Sequence, residues 1–344
     1  MKEADKPYSN NSIRSGRLTI VQVSPDVYPV PPINYGGIER VVYDLVEELV
    51  RRGHEVFLFA PKGSKTSAKL IPYQHETPWC QNEIIKDVIA SLPSGTDIIH
   101  DHTHASVLGR LQLSVPVVCT EHFSAKCPVK YPIYASRTVL EKYGENNGFV
   151  VHHGINIQEF EFSDNKENYL LYIGKLDQSK GPQFAIEVAE KTNKILLLAG
   201  PIHDQNYFNK QIKPCILYNP NLHYIGEVGG RRKQDLIKHA ECVLFPTLCQ
   251  ESFGLVAIEA LACGTPVLGF ASGAVPEVLA CFPELICKNT GDMIERVKSS
   301  NFPSSKSLRE YVETNFTTEI MTDRYLEIYQ KVVYGHIKVA KGIY

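Results

Sequence analysis

Short apolar runs and longer stretches of helical periodicity take turns along this chain. Leu18–Ser24 (L-T-I-V-Q-V-S), Val56–Ala60, Asp97–His102, Val115–His122 and Phe149–Ile155 read as strands. After the first comes a loop rich in Pro and Tyr, from Pro25 to Gly37. Ile38, Val41, Val42, Leu45, Val46 and Leu49 then recur on one helical face, which Gly53 closes. Residues 61–96 carry little pattern, and only a helix near Asn82–Leu92 is predicted there.

The rhythm restarts beyond a polar stretch at Asn156–Asn168, the expected domain boundary. Strands are predicted at Tyr169–Gly174, Ile195–Gly200, Leu222–Ile225, Cys242–Pro246 and Pro266–Phe270, with helices at Gln183–Lys191, Gln205–Gln211, Lys233–Ala240 and Gly254–Ala262. A last amphipathic helix, Glu319–Val333, has Met321, Tyr325, Ile328, Tyr329 and Val332 on its apolar side. Strands alternating with helices make parallel sheets covered on both faces. The expected architecture is α/β, two Rossmann-like sheets facing one cleft, with ligands beyond the carboxyl ends of the strands. No repeat of short fixed period is visible, which excludes a solenoid.

The 344-residue length agrees with two domains. Residues 1–16 are polar, lack the apolar core of a signal peptide and read as a disordered extension. No apolar run approaches the roughly 20 residues of a membrane span. A net charge of −2 provides no basic field for nucleic acid, and Arg231-Arg232-Lys233 reads as a solvated turn. The nine cysteines form no C-x-x-C pair and are odd in number, the usage of a reducing, cytoplasmic compartment.

The segment Glu251–Glu277 carries the chemistry. Glu251 and Glu259 stand eight positions apart. With the first ahead of a helix and the second two turns inside it, their backbones lie ~12 Å apart. Between them the free N–H groups of the helix start, at Ser252, Phe253, Gly254 and Leu255, favour an anion. A sugar, a diphosphate and a ribose present their groups in that order. Glu259 lies in a helix apolar nearly all round, so its carboxylate needs a partner. Lys175 and Lys180, beyond a strand and between Gly174 and Gly181, can both reach one diphosphate, although alone they also fit an exposed turn. Gly36-Gly37 precede a helix, either as an anion-tolerant start or as a plain cap. No G-x-G-x-x-G follows the first strand, which disfavours a dinucleotide oxidoreductase. His100, His102 and His104 alternate and could share a face, but no carboxylate cluster completes a metal site. No D-x-D occurs.

Together these residues resemble the retaining glycosyltransferases of family 4, which have the GT-B fold. The resemblance rests on E-x7-E with E-A-L-A-C-G-T-P-V and the later Gly273, Pro276 and Glu277. It also rests on Y-I-G-K-L-D-Q-S-K-G (172–181), Y-G-G-I-E-R-V-V (35–42), D-I-I-H and C-T-E-H ending at His100 and His122, and V-H-H-G-I-N-x-x-x-F (151–160). It spans residues 17–335. It implies an acceptor domain at 17–158, a nucleotide-sugar domain at 159–316, and a terminal segment, 317–344, whose helix returns to the first domain. It implies that Glu259 holds the ribose, Glu251 the transferred sugar, Lys175 and Lys180 the diphosphate, and that His122 lies by the sugar. The Gly36-Gly37 loop would face the donor phosphates or the acceptor. Lys175 stands where the family usually has Arg, which keeps the charge and loses the planar fork.

The expected function is transfer of a hexose, with retention, from a nucleotide sugar to a hydroxyl acceptor. A UDP-sugar is favoured, UDP-glucose being a guess, and catalysis rests on His122, Glu251 and Lys180. No cofactor or metal is expected, because two lysines and a helix start can neutralise the leaving diphosphate. Nucleic acid is not an expected partner, and peripheral membrane attachment stays compatible with the chain. The alternatives are a GT-B nucleotide-sugar epimerase and a non-catalytic sugar-nucleotide binder. The acceptor pocket is expected at Asp26–Tyr35 and 123–135.

Overall fold

The computed structural model describes residues 16–335. The expected N-terminal extension, save Gly16, and the end of the terminal segment lie outside the described residues. The first sheet contains β1 (Thr19–Val23), β2 (Glu55–Ala60), β3 (Lys69–Pro72), β4 (Ile98–Asp101), β5 (Val117–Glu121), β6 (Pro132–Tyr134) and β7 (Phe149–Val150). All are parallel, in the order β3-β2-β1-β4-β5-β6-β7. Helices α1 (Gly37–Arg51), α2 (Gln81–Ser91) and α3 (Arg137–Tyr143) connect them.

The second sheet, also parallel, holds β8 (Tyr169–Ile173), β9 (Ile195–Ala199), β10 (Leu222–Tyr224), β11 (Cys242–Phe245), β12 (Val267–Phe270) and β13 (Ile286–Cys287), in the order β10-β9-β8-β11-β12-β13. Its helices are α4 (Pro182–Thr192), α5 (Gln205–Tyr207), α6 (Lys213–Tyr218), α7 (Gly230–His239), α8 (Leu255–Ala262), α9 (Val275–Val278), α10 (Thr290–Ser299) and α11 (Ser305–Asn315). Strands β8, β11 and most of β12 are buried apolar runs, as sheets covered on both faces require.

Helix α12 (Thr318–Val333) crosses back to the first sheet. Its Met321, Tyr325, Ile328, Tyr329 and Val332 share a core with Val41, Leu45, Leu49 and Ile20. The fold is therefore two parallel α/β layers, with the terminal helix returned to the first.

Several local expectations change. The edge strand β3, the three-residue β6 and helix α3 were absent from the sequence pattern, as were β13, α10 and α11. The strand expected over Phe149–Ile155 pairs only at Phe149–Val150, while Ile155 bridges Thr317 instead. The helix expected at Gln205–Gln211 continues through a π-turn at Phe208–Ile212 into α6, where Pro214 lacks the N–H for a regular helix.

Candidate active site

The loops beyond β8, β11 and β12 meet at one place. Gly254, just ahead of α8, has φ +101°, a conformation open to glycine. Gly273 is fixed by a closer constraint: a β-carbon there would stand 2.2 Å from the Glu251 carbonyl oxygen. The Ala274 N–H donates to that carbonyl at 2.8 Å, and Ser272 Oγ donates to the Cys249 carbonyl at 2.6 Å. The turn after β12 thus holds the backbone of Glu251. Within α8 the Ala257 N–H donates to the Gly254 carbonyl at 2.9 Å. The amides ahead of it have no acceptor within the helix.

Lys180 ends a short 3-10 turn, Gln178–Lys180, whose cap is the Asp177 carboxylate. The N–H groups of Leu248 and Cys249 donate to the Ser179 carbonyl at 2.8 and 3.1 Å, tying this turn to the Glu251 loop. Lys180 Nζ donates to Glu251 Oε2 at 2.6 Å in a largely buried pair. Burial pulls the ammonium down, but Glu251 and the Cys249 thiol outweigh it and hold the pKa above the usual lysine value. Lys175 Nζ stands 5.5 Å from the ring centre of Tyr35, a residue of the first domain. Burial pushes the Tyr35 phenol up to about 12, with Lys180 opposing and Glu251 adding to the rise.

Glu259 is 4% exposed. Its Oε1 accepts from Lys233 Nζ at 2.7 Å, while Oε2 is buried without a partner among the described residues. Lys233 corrects the reading of Arg231-Arg232-Lys233 as solvated: on α7 it turns inward, 22% exposed, onto the glutamate. Gly36 precedes α1, and a side chain at Gly37 would stand 3.4 Å from Leu255 Cδ1. The starts of α1 and α8 therefore meet across the cleft. Beside them Glu39, 3% exposed, has its carboxyl pushed up to about 7 by burial.

His122 follows β5 and is buried. Its Nε2 lies 2.9 Å from His102 Nδ1, whose Nε2 lies 2.8 Å from Gln22 Oε1. Gln22 Nε2 donates to Tyr329 Oη of α12 at 3.0 Å, and Tyr329 Oη lies 2.6 Å from His100 Nδ1. Burial first, then the neighbouring imidazoles, hold His100, His102 and His122 well below the usual histidine range, so all are neutral near pH 7. With the Gln22 amide in this orientation, His102 donates through Nε2 and accepts through Nδ1. His122 then carries its proton on Nε2 and keeps Nδ1 as an acceptor. The shared face expected for three histidines holds for two. His100 and His102 lie 3.8 Å apart, but His104 falls past the strand end and sits against Trp79 and Phe123. Among the described residues no group of three His, Cys, Asp or Glu is placed to hold a metal ion.

Two further contacts join the domains. Ser124 Oγ donates to the Gln250 carbonyl at 2.5 Å. Glu277, in α9, accepts from the N–H groups of Arg137 and Thr138 at the start of α3, at 2.9 and 3.1 Å, and lies 2.6 Å from His152 Nε2. His153 stacks on His122 at 5.3 Å and meets the Phe253 ring at 5.1 Å. Phe253 is thus a core side chain as well as part of the helix start. Sequence reasoning placed Tyr35 in the acceptor loop but missed Glu39, Gln22 and Lys233 as site neighbours. Only the Y-G-G-I-E motif and the basic run near 231–233 marked their segments.

Of the expected site residues, the structure brings Lys180, Glu251, Ser252, Phe253, Gly254, Leu255 and Glu259 together along α8, with Gly36 and Gly37 opposite. Lys175 lies near by on Tyr35, and His122 stands in the first domain behind Phe253. Two carboxylates, a helix start and two lysines between facing parallel sheets define a GT-B glycosyltransferase. The comparisons agree. Residues 155–298 match the model for glycosyl transferases group 1, and residues 35–153 match that for glycosyltransferase family 4. The chain belongs to this group 1/family 4 glycosyltransferase family. An uncharacterized glycosyltransferase of Methanocaldococcus jannaschii is 28% identical over 317 residues, covering 72% of this chain and 80% of that protein. Among solved structures, a glycosyltransferase involved in avilamycin A biosynthesis is 26% identical, with a TM-score of 0.78 over 92% of this chain and 98% of its own. An Anabaena protein crystallised with UDP and glucose is 15% identical, with a TM-score of 0.70 over 91% of this chain and 99% of its own, and shares the fold. No helix among the described residues is long and apolar enough to cross a membrane.

Proposed function

We propose that this enzyme transfers a hexose from a UDP-sugar to a hydroxyl acceptor with retention of configuration and without a metal. The observation that carries the reading is the orphaned Glu259 Oε2, a buried carboxylate oxygen with no donor among the described residues, eight positions along the chain from the Glu251 that pairs with Lys180. A buried charged acceptor without a donor is costly, and a ribose hydroxyl supplies one. The diphosphate lies on the start of α8 between Lys175 and Lys180, and Glu251 takes hydroxyls of the sugar. The Anabaena neighbour's UDP supports uracil as the base.

In the reaction the bond from the anomeric carbon to phosphate oxygen loosens and an oxocarbenium-like sugar develops. Charge collecting on the diphosphate meets the two ammonium groups and the helix amides. The acceptor hydroxyl attacks from the same face, and the departing phosphate takes its proton. His122, through Nδ1, accepts from a hydroxyl of the sugar. A thermal-shift panel of UDP-, GDP- and ADP-sugars tests the donor. A rise in Tm confined to UDP-sugars supports this reading, and a response confined to another base refutes it. Release of UDP only when an acceptor is present separates transfer from epimerisation.

A further inference from the structure

Three aromatic rings outside the donor site form one ladder. Trp79 follows β3, His104 follows β4 and Phe123 follows β5, so all three stand beyond carboxyl ends of the first sheet. Trp79 and His104 have ring centres 4.5 Å apart, and His104 stacks on Phe123 at 5.3 Å. Trp79 is 60% exposed and Phe123 45%. Large apolar rings lined up in water mark a binding surface more often than an accident of folding.

The ladder is built, not loose. Trp79 has φ +65°, in the left-handed region that a tryptophan rarely enters. That backbone is held from below. The Cys80 N–H donates to Asp26 Oδ2 at 2.7 Å, and His75 lies 3.2 Å from the same oxygen and 3.0 Å from Asp87 Oδ2. Asp26 is nearly buried. No core contact explains the arrangement, because the ring faces solvent.

The inner end of the ladder adjoins the transfer site. Phe123 lies between His122 and Ser124, and Ser124 reaches the Gln250 carbonyl one residue from Glu251. Burial lowers the pKa of His104, the middle ring, against the opposing pull of the Asp26 carboxylate. His104 packs between the other two rings, tilted 51° from Trp79 and 27° from Phe123. The exposed faces are therefore the outer ones of Trp79 and Phe123, and such faces suit a ligand with a flat apolar face and hydroxyls at its rim. A pyranose ring has that form, with C–H groups on one face.

We propose that Trp79 and Phe123, held apart by His104, form the acceptor platform, and that the acceptor is a glycan whose rings stack on their exposed faces. This assignment rests on the transferase reading above and adds the acceptor class to it. The ring nearest Phe123 places its hydroxyl toward Glu251, and the next ring reaches Trp79.

The chain has one tryptophan, so emission excited at the red edge, beyond tyrosine absorption, reports on this surface alone. The experiment titrates the full chain, with UDP present, against maltose, cellobiose, the open-chain polyol sorbitol and 1-hexanol. The expected result is a saturable change in Trp79 emission with a disaccharide, absent with sorbitol and hexanol, and weakened about tenfold in Phe123→Ala, which keeps the reporter and removes an exposed ring. No saturable response to either disaccharide, or an equal one to sorbitol, overturns the platform. A response to hexanol alone overturns the glycan in favour of an acyl chain. Calorimetry of UDP on the same sample separates the two levels. UDP bound without a disaccharide response removes the platform only, whereas no heat with UDP, GDP or ADP removes the transferase reading and the platform with it.

Discussion

Replacing Glu277 by Gln tests how the two domains are joined beneath the cleft. The carboxylate accepts from Arg137 N, Thr138 N and Thr138 Oγ1, at 2.9, 3.1 and 3.1 Å, and from His152 Nε2 at 2.6 Å. Burial would raise its pKa, but the His152 contact and the two N–H groups of α3 prevail and bring it from 4.5 to about 2. At about 1.4 kcal/mol per unit, the ionised form gains roughly 3 kcal/mol. Solvent reaches part of the group, so about 2 kcal/mol is the working figure. A carboxyl held low in the folded state contributes fully above its unfolded pKa and loses that contribution as pH falls through the folded one. Urea unfolding of the wild type and Glu277→Gln, followed between pH 7 and pH 2, should show a gap of about 2 kcal/mol down to about pH 5. By pH 3 less than half of it should remain. A gap of the same size at pH 3 and pH 6, or none at pH 6, would refute the reasoning.

The donor site makes further predictions. Glu251→Ala should abolish transfer while leaving the far-ultraviolet circular dichroism unchanged, and full activity would remove its role. Lys180→Ala should weaken UDP binding by about 2 kcal/mol, the scale of a charge-assisted contact, and calorimetry reads it directly. Glu259→Gln should weaken the preference for UDP over 2′-deoxy-UDP, because an amide oxygen is a poorer acceptor than a carboxylate oxygen; an unchanged preference would place the ribose elsewhere. Imidazole nitrogen NMR should find the His122 proton on Nε2 in the wild type and a mixed population in Gln22→Met. A chelator should leave turnover unchanged, and inhibition reversed by a divalent ion would contradict the metal-free mechanism.

How much of this was legible depended on the range of the interactions. Buried parallel strands such as β8 and β11 announce themselves as unbroken apolar runs, and α8 through its two glutamates, because the deciding forces are local. The edge strand β3 reads K-L-I-P and is only half covered, so nothing in its composition demands pairing. Strand β6 begins with proline and has three residues, and its place is set by β5 and β7 on either side. The role of Glu277 was hidden because its partners Arg137 and Thr138 are 140 and 139 positions away. Lys233 was misread for a related reason. A basic run looks solvated until the opposing helix is known to carry a buried carboxylate. The histidine relay needed α12, which brings Tyr329 to within hydrogen bonding of Gln22 across 307 positions.

A crystal of the enzyme grown with a non-hydrolysable UDP-sugar tests the central claim most directly. The account predicts the diphosphate at the N-terminus of α8, within hydrogen-bond distance of Lys180 Nζ and the Gly254 or Leu255 amide, with a ribose hydroxyl on Glu259 Oε2. A diphosphate bound away from α8, or a ribose that leaves Glu259 Oε2 without a donor, would contradict it.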